Sequence, residues 1–172
     1  MHKNIKIKTE FYACKMHDKI NQLYDNKYPY RHHLTMVVVF AEKFIHLIPK
    51  KDRDTVIAGC WAHDLIEDAG VSYNDVLKHT NEIVAEYSYA LSNEKGRTRK
   101  ERANDNYYKG IKDYKHATYI KLCDRIANVS YGKERGSNQF NMYKKEQPNF
   151  KEKLFDERYK EVWDYLDNLL KN

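Results

Sequence analysis

Apolar positions recur along nearly the whole chain at steps of three and four residues, the period of an α-helix. This pattern predicts a helix over residues 9–25 and a second over 31–48 that stops at Pro49. A third opens on an Asp52 cap and runs to Asp68, closed by Gly70. Ser72 and Asp75 have capping-box spacing and start a short helix to His79; another spans Asn81 to Leu91. After the polar, basic connection "SNEKGRTRKE", Thr98 and Glu101 open a helix to Asp113. Residues 116–130 form the next helix, "YGKERGSNQ" reads as a loop, and a short helix leads to Pro148. The last helix, 149–170, lines up Phe150, Leu154, Phe155, Tyr159, Val162, Trp163, Leu166, Leu169 and Leu170 as a face that packs on a core. The sum is an all-α compact bundle of about seven to nine helices, forming a single domain over residues 1–172.

Composition narrows this picture only modestly. With 6 Gly and 3 Pro the chain shows no low-complexity linker, and no repeat is visible. No run nears the roughly eighteen apolar residues of a membrane span. The start "MHKNIKIKTEF" lacks the apolar centre of a secretory signal. Cys14, Cys60 and Cys123 have no paired spacing, which reads as reduced core thiols in a cytoplasmic protein and argues against a structural zinc site. The net charge of +6 suits an anionic partner such as a nucleotide, but no specific nucleic-acid motif appears. Monomer and homo-oligomer both remain open.

The chemistry concentrates in "CWAHDLIEDAG", residues 60–70. His63 and Glu67 are four apart, as are Asp64 and Asp68, so on a continuous helix all four share one face beside Ala58, Trp61, Leu65 and Ile66. Three carboxylates this close to apolar neighbours need cations or hydrogen bonds, and a bound metal supplies the charge. Further ligands lie elsewhere. In "IKLCDRIANV" the apolar Ile120, Leu122, Ile126 and Val129 surround Asp124, which shares a face with Lys121, Arg125 and Asn128. In "PYRHHLTMVVVFAEKF" His33, and not His32, aligns with Val37, Phe40, Ala41 and Phe44. His33, His63, Asp64 and Asp124 thus make a mixed nitrogen–oxygen set that suits Mn²⁺ or Fe²⁺, with Zn²⁺, Co²⁺, Ni²⁺ and Mg²⁺ as alternatives. Glu67 and Asp68 stand one turn on, placed to orient or deprotonate an attacking water. Each residue has an ordinary explanation: a histidine on an apolar face is more often a hydrogen-bonded core residue, and Asp124 could pair with Lys121 or Arg125. The convergence of four such residues from three apolar helices outweighs those explanations taken singly.

With those residues in view, the chain resembles the HD-domain phosphohydrolases, and among them the hydrolase domains of RelA/SpoT proteins and the small alarmone hydrolases. "PYRHHL" (29–34) is similar to Pro-Tyr-Ile-x-His-Pro, with Leu34 in place of the usual Pro. "AHDLIEDAG" (62–70) is similar to Leu-His-Asp-Val-Val-Glu-Asp-Thr, and "IKLCDRIANV" (120–129) to Val-Lys-Leu-Ala-Asp-Arg-Leu-x-Asn. "CKMHDKINQLYDNKYPY" (14–30) faintly echoes the family's first helix and its lead into Pro-Tyr, so the matches span about residues 13 to 130 in order. The resemblance implies His33, His63, Asp64 and Asp124 as metal ligands, Mn²⁺ as the usual ion, and Glu67 with Asp68 as the pair that handles water in pyrophosphate removal. It also implies nucleotide contacts from Asn128, at the ribose, and from Tyr143 in "FNMYKK". Members of that branch carry an Arg/Lys cluster before Pro-Tyr that packs on guanine; here "NQLYDNKYPY" offers only Lys27, with Tyr24 or Tyr28 available to stack on a base. Arg97, Arg99 and Lys100 in the basic connection, with Lys121, complete the expected substrate contacts.

The expected activity is a metal-dependent nucleotide (pyro)phosphohydrolase in which metal-activated water attacks a phosphoryl group, resembling (p)ppGpp 3′-pyrophosphohydrolases. The alternatives are an HD-type nucleoside monophosphate phosphatase or phosphodiesterase, and a non-catalytic nucleotide or RNA binder.

Overall fold

A computed structural model describes residues 4–171. Eleven α-helical segments appear among them: α1 (Ile5–Lys19), α2 (Arg31–Lys43), α3 (Arg53–Ala62), α4 (Leu65–Asp68), α5 (Tyr73–His79), α6 (Glu82–Leu91), α7 (Arg99–Arg102), α8 (Asp105–Asp113), α9 (Ala117–Arg135), α10 (Asn138–Leu154) and α11 (Lys160–Leu170). Three short 3₁₀ turns and one two-stranded hairpin, β1 (Leu23–Tyr24) with β2 (Tyr28–Pro29), complete the chain. The all-α expectation holds. No described helix is long and apolar enough to cross a membrane.

Two central helices carry the core. Every residue of α3 from Val56 to Ala62 is buried, and α9 buries thirteen residues, among them Ile120, Leu122, Ile126 and Val129. Helices buried over so much of their surface must be covered by others. α1 and α6 pack on α3, and α2, α10 and α11 pack on α9. The buried stripe of α2 follows the expected one for His33, Val37, Ala41 and, just past the helix end, Phe44, while Phe40 is only half-buried. Trp163 at 0 % exposure anchors α11.

The helix count exceeds the expectation because two predicted helices are each split in two. A third, 149–170, is also broken: its first part continues α10 to Leu154 and its second part is α11 from Lys160, with Phe155 between them exposed and not packed in the core. The segment 52–68 is interrupted at His63 and Asp64, where Asp64 adopts φ −102°, ψ 3°. Its carboxylate makes no capping bond; it is drawn into a side-chain cluster instead. The 98–113 segment breaks at Ala103, and Asn104 caps α8 by accepting a hydrogen bond from Tyr107 N. Asp52 stands at the start of α3 but caps nothing; it pairs with Lys115 and His116. The Ser72–Asp75 capping box forms as expected.

Three other boundaries differ. Residues 20–30 leave the helical path through Asn21, Asp25 and Asn26, all at φ between 51° and 55°, a region that Asn and Asp tolerate better than bulkier residues. The hairpin they form, Leu23 opposite Pro29 and Tyr24 opposite Tyr28, replaces the expected end of α1. α9 runs through the expected loop to Arg135 and stops at Gly136, at φ 62°. Gly132 marks close packing there and not a loop, since a Cβ would lie 3.2 Å from both Phe140 N and Ser137 Oγ. α10 passes through Pro148, which points to solvent, as does Lys144 one turn earlier, whose carbonyl loses its helical donor.

Candidate active site

His33 from α2, His63 and Asp64 from the α3–α4 junction, and Asp124 from α9 meet in the middle of the bundle. His33 Nε2 lies 3.2 Å from His63 Nε2, 3.5 Å from Asp64 Oδ2 and 3.3 Å from Asp124 Oδ1. His63 Nε2 lies 2.9 Å from Asp64 Oδ2 and 3.7 Å from Asp124 Oδ1. Donor atoms of His33, His63 and Asp64 all sit within 4.8 Å of one another. Both imidazoles are almost sealed, at 2 % and 1 % exposure.

The hydrogen bonding prepares these atoms for a cation. His63 Nδ1 lies 2.8 Å from the Cys60 carbonyl, which only accepts, so Nδ1 carries hydrogen and Nε2 is left to face the cluster. Burial acts to lower the His63 pKa, but the Asp64 and Asp124 carboxylates raise it to about 10, and His33 is raised by the same neighbours. Two protonated Nε2–H groups cannot face each other at 3.2 Å, so the pair has room for one shared cation. Burial opposes ionisation of Asp64, yet the two histidines hold its pKa well below the usual carboxylate range. Burial likewise opposes Asp124, and the Lys121 ammonium, 2.9 Å from Oδ2, with the histidines holds it down. Two donors bound at about 2.1 Å to one divalent ion stand about 3.0–3.5 Å apart, close to the separations seen here. The residues fit a metal.

A cavity of about 800 Å³ opens beside the cluster, with His33, Asp64, Glu67, Asp68, Lys121 and Asp124 in its wall. Glu67 and Asp68 both line this cavity but take different partners. Glu67 Oε1 accepts from Asn93 Nδ2 at 2.6 Å and Oε2 from the Asn93 backbone N–H at 3.2 Å. Asp68 Oδ2 accepts from the Tyr30 hydroxyl at 3.1 Å and from Gln22 Nε2 at 3.4 Å. Both keep solvent access, so their desolvation is partial. Partial burial and then the Asp64 charge still raise Asp68, and Glu67 is raised by the same effects against the opposing pull of Lys121.

The expected substrate contacts divide. Arg99, Lys100, Lys121, Asn128 and Tyr143 line the cavity. Lys121 and Asn128 also brace Asp124, since Asn128 Nδ2 donates to Asp124 Oδ1 at 2.6 Å. Arg97 and Lys27 do not reach the cavity: Arg97 is bound through its backbone N–H to Glu101, and Lys27 lies over the Tyr28 ring. Tyr24 and Tyr28 are also engaged. Tyr24 stacks on His33 with centroids 5.0 Å apart and donates to Asn128 Oδ1, while Tyr28 stacks on His32 and accepts from Arg135 Nη2.

Sequence reasoning missed Tyr30, Asn93, Arg125 and Glu146. Tyr30 lies within the quoted "PYRHHL", yet its hydroxyl gives no charge signal; it donates to Asp64 Oδ2 at 2.6 Å as well as to Asp68. Burial and both carboxylates push its pKa far above the ordinary tyrosine value, so it remains a donor. Tyr30→Phe is expected to weaken divalent-metal affinity about tenfold or more with little change in fold. Calorimetric titration with Mn²⁺ checks this, and an unchanged dissociation constant contradicts it.

The chain is therefore an all-α bundle with a buried His-His-Asp cluster at its centre, the architecture expected from the HD-domain resemblance. A solved structure described as a metazoan ortholog of SpoT that hydrolyzes ppGpp and plays a role in starvation responses has the same fold, with TM-score 0.73 at 18% identity over 98% of this chain and 96% of that one. No family model and no curated protein sequence matches the chain.

Proposed function

We propose that the chain, taken as one domain, is a metal-dependent nucleotide (pyro)phosphohydrolase that removes a 3′-pyrophosphate from an alarmone-like nucleotide. The observation that carries this reading is the convergence of two imidazoles and two carboxylates from three helices on one buried point, beside a cavity walled by carboxylates and cations. The hydrolysis of ppGpp by the structural neighbour supports the choice of substrate class. His33, His63, Asp64 and Asp124 hold a divalent ion, with manganese the preferred identity. Such an ion supplies Lewis-acid polarisation of a phosphoryl oxygen and acidifies water. Glu67, oriented by Asn93, and Asp68, oriented by Tyr30 and Gln22, receive the proton that the attacking water gives up. Lys121, Arg99 and Lys100 offset phosphate charge from the cavity wall. Tyr143 and Asn128 contact the nucleoside; Asn128 does so by exchanging the Tyr24 hydroxyl for a ribose hydroxyl. The free thiols Cys14, Cys60 and Cys123 agree with a cytoplasmic setting.

One observation favours a second reading, an HD-type phosphatase or phosphodiesterase. The hairpin puts Tyr24 against His33 and Asn128 and keeps Lys27 away from the cavity, so no basic side chain of that stretch waits for a guanine. A Mn²⁺-supplemented screen of nucleotides, including 3′-pyrophosphorylated ones, separates the readings. Pyrophosphate release is the expected product. Orthophosphate or a cleaved diester selects the second reading, and the absence of product from every nucleotide rejects both.

A further inference from the structure

Glu146 on α10 divides its carboxylate between two guanidinium groups. Arg99 Nε donates to Oε1 at 2.6 Å and Arg99 Nη2 to Oε2 at 3.3 Å. Arg125 Nη1 donates to Oε2 at 2.8 Å. Arg125 is 6 % exposed and rests over the Tyr143 and Phe150 rings, 4.5 Å and 4.2 Å from their centroids. A guanidinium has five N–H donors, and among the described residues Arg125 commits only one of them to a hydrogen bond. The residue lines the same cavity as the metal-ligand candidates.

Here two arginines meet one carboxylate, leaving the group with net charge +1 at the cavity wall. Burial acts to raise the Glu146 carboxyl, and the two guanidiniums more than reverse this, so the carboxylate is anionic at neutral pH. Two guanidiniums that converge on one oxyanion, one of them resting over aromatic rings, make an arrangement that a phosphate could enter in place of the carboxylate.

We propose that Arg99 and Arg125 form a second anion subsite, separate from the His33–His63–Asp64–Asp124 cluster, which takes a phosphate or diphosphate at the other end of the substrate, and that Glu146 is its built-in competitor. The proposal rests on reading the cavity as a nucleotide site. A doubly charged phosphate attracts the arginine pair more strongly than the single charge of Glu146 and displaces it, whereas a nucleoside without that group leaves the carboxylate in place. Glu146 thereby selects substrates phosphorylated at both ends.

Inorganic pyrophosphate titrated calorimetrically into chelator-treated protein tests this without turnover. Glu146→Gln is expected to bind pyrophosphate about tenfold tighter than the wild type, and adding Arg99→Gln to that variant is expected to remove the gain. Equal or weaker binding by a folded Glu146→Gln overturns the proposal, because an arginine bridge of purely structural purpose gains no anion affinity when its acid is neutralised. If circular dichroism shows that Glu146→Gln does not fold, Glu146→Asp replaces it; the shorter side chain draws the carboxylate back and is likewise expected to tighten binding, with unchanged affinity counting against the site. Pyrophosphate binding as expected, together with no hydrolysis of any nucleotide, would keep this subsite and remove the hydrolase reading.

Discussion

Asp64→Ala is expected to lower kcat/KM for nucleotide hydrolysis by about 10³-fold or more, since a catalytic divalent ion contributes several kcal/mol and each 1.36 kcal/mol is a factor of ten. Asp64 is the residue on which the cluster depends most. Its Oδ2 lies 2.9 Å from His63 Nε2 and 3.5 Å from His33 Nε2, and it accepts the Tyr30 hydroxyl at 2.6 Å. Alanine removes one of the two carboxylates that balance the histidines and leaves Tyr30 with Asp68 alone. The variant should retain its helical circular dichroism while calorimetry shows loss of Mn²⁺ binding. Wild-type turnover by a metal-free Asp64→Ala protein would place the chemistry elsewhere.

Glu67→Gln is expected to reduce kcat by about 10²–10⁴-fold with metal affinity nearly unchanged, the range contributed by a positioned general base. Glutamine keeps the shape and can still meet Asn93, which holds both carboxylate oxygens, but it cannot take a proton. The pH profile gives a second readout. Partial burial, followed by the Asp64 charge, raises the Glu67 pKa above its ordinary value. A base must be deprotonated to act, so the acid limb of kcat/KM in the wild type should follow this carboxyl and be absent from Glu67→Gln, with the charge of the bound ion drawing the limb below the metal-free titration. The upward shift also sets the sign for stability: a carboxyl that binds its proton more tightly when folded stabilises the fold at low pH and loses that contribution as pH rises through its folded pKa. Glu67→Gln should therefore be relatively more stable than the wild type at neutral pH than at acid pH. Thermal melts across that range check this; a pH-independent difference would show that Glu67 ionisation is not coupled to folding.

The parts of the molecule readable from sequence are those where a charge interrupts an apolar helix. α3 is apolar from Val56 to Ala62, and Asp124 sits in α9 among Ile120, Leu122, Ile126 and Val129, so His63, Asp64 and Asp124 stand out against their neighbours, and the stripe of α2 separates His33 from His32. The break at Asp64 leaves no such trace, because the spacing of His63 and Glu67 fits a helix whether or not it is continuous. The hairpin is equally silent: two-residue strands have no period to detect, and its turn depends on the backbone angles of Asp25 and Asn26. Pro148 and Gly132 misled in opposite ways, the first tolerated within a helix because it faces solvent, the second required by the approach of α10. Arg125 and Glu146 are 21 residues apart, so only the folded chain pairs them. Within α9, Lys121 and Asn128 meet both Asp124 and the cavity; the pairing of Lys121 with Asp124 is among the ordinary explanations, whereas the bond from Asn128, which the resemblance gives as a ribose contact, is a matter of packing.

The proposed activity is hydrolysis of a nucleotide phosphate bond with one divalent ion held by His33, His63, Asp64 and Asp124. Its sharpest test is to titrate chelator-stripped protein with Mn²⁺ while product release from a 3′-pyrophosphorylated nucleotide is followed. No turnover is expected in the stripped protein, with a rise to a plateau at one ion per chain. Turnover that is equal before and after metal addition, or absent at every metal concentration, would overturn the proposed activity.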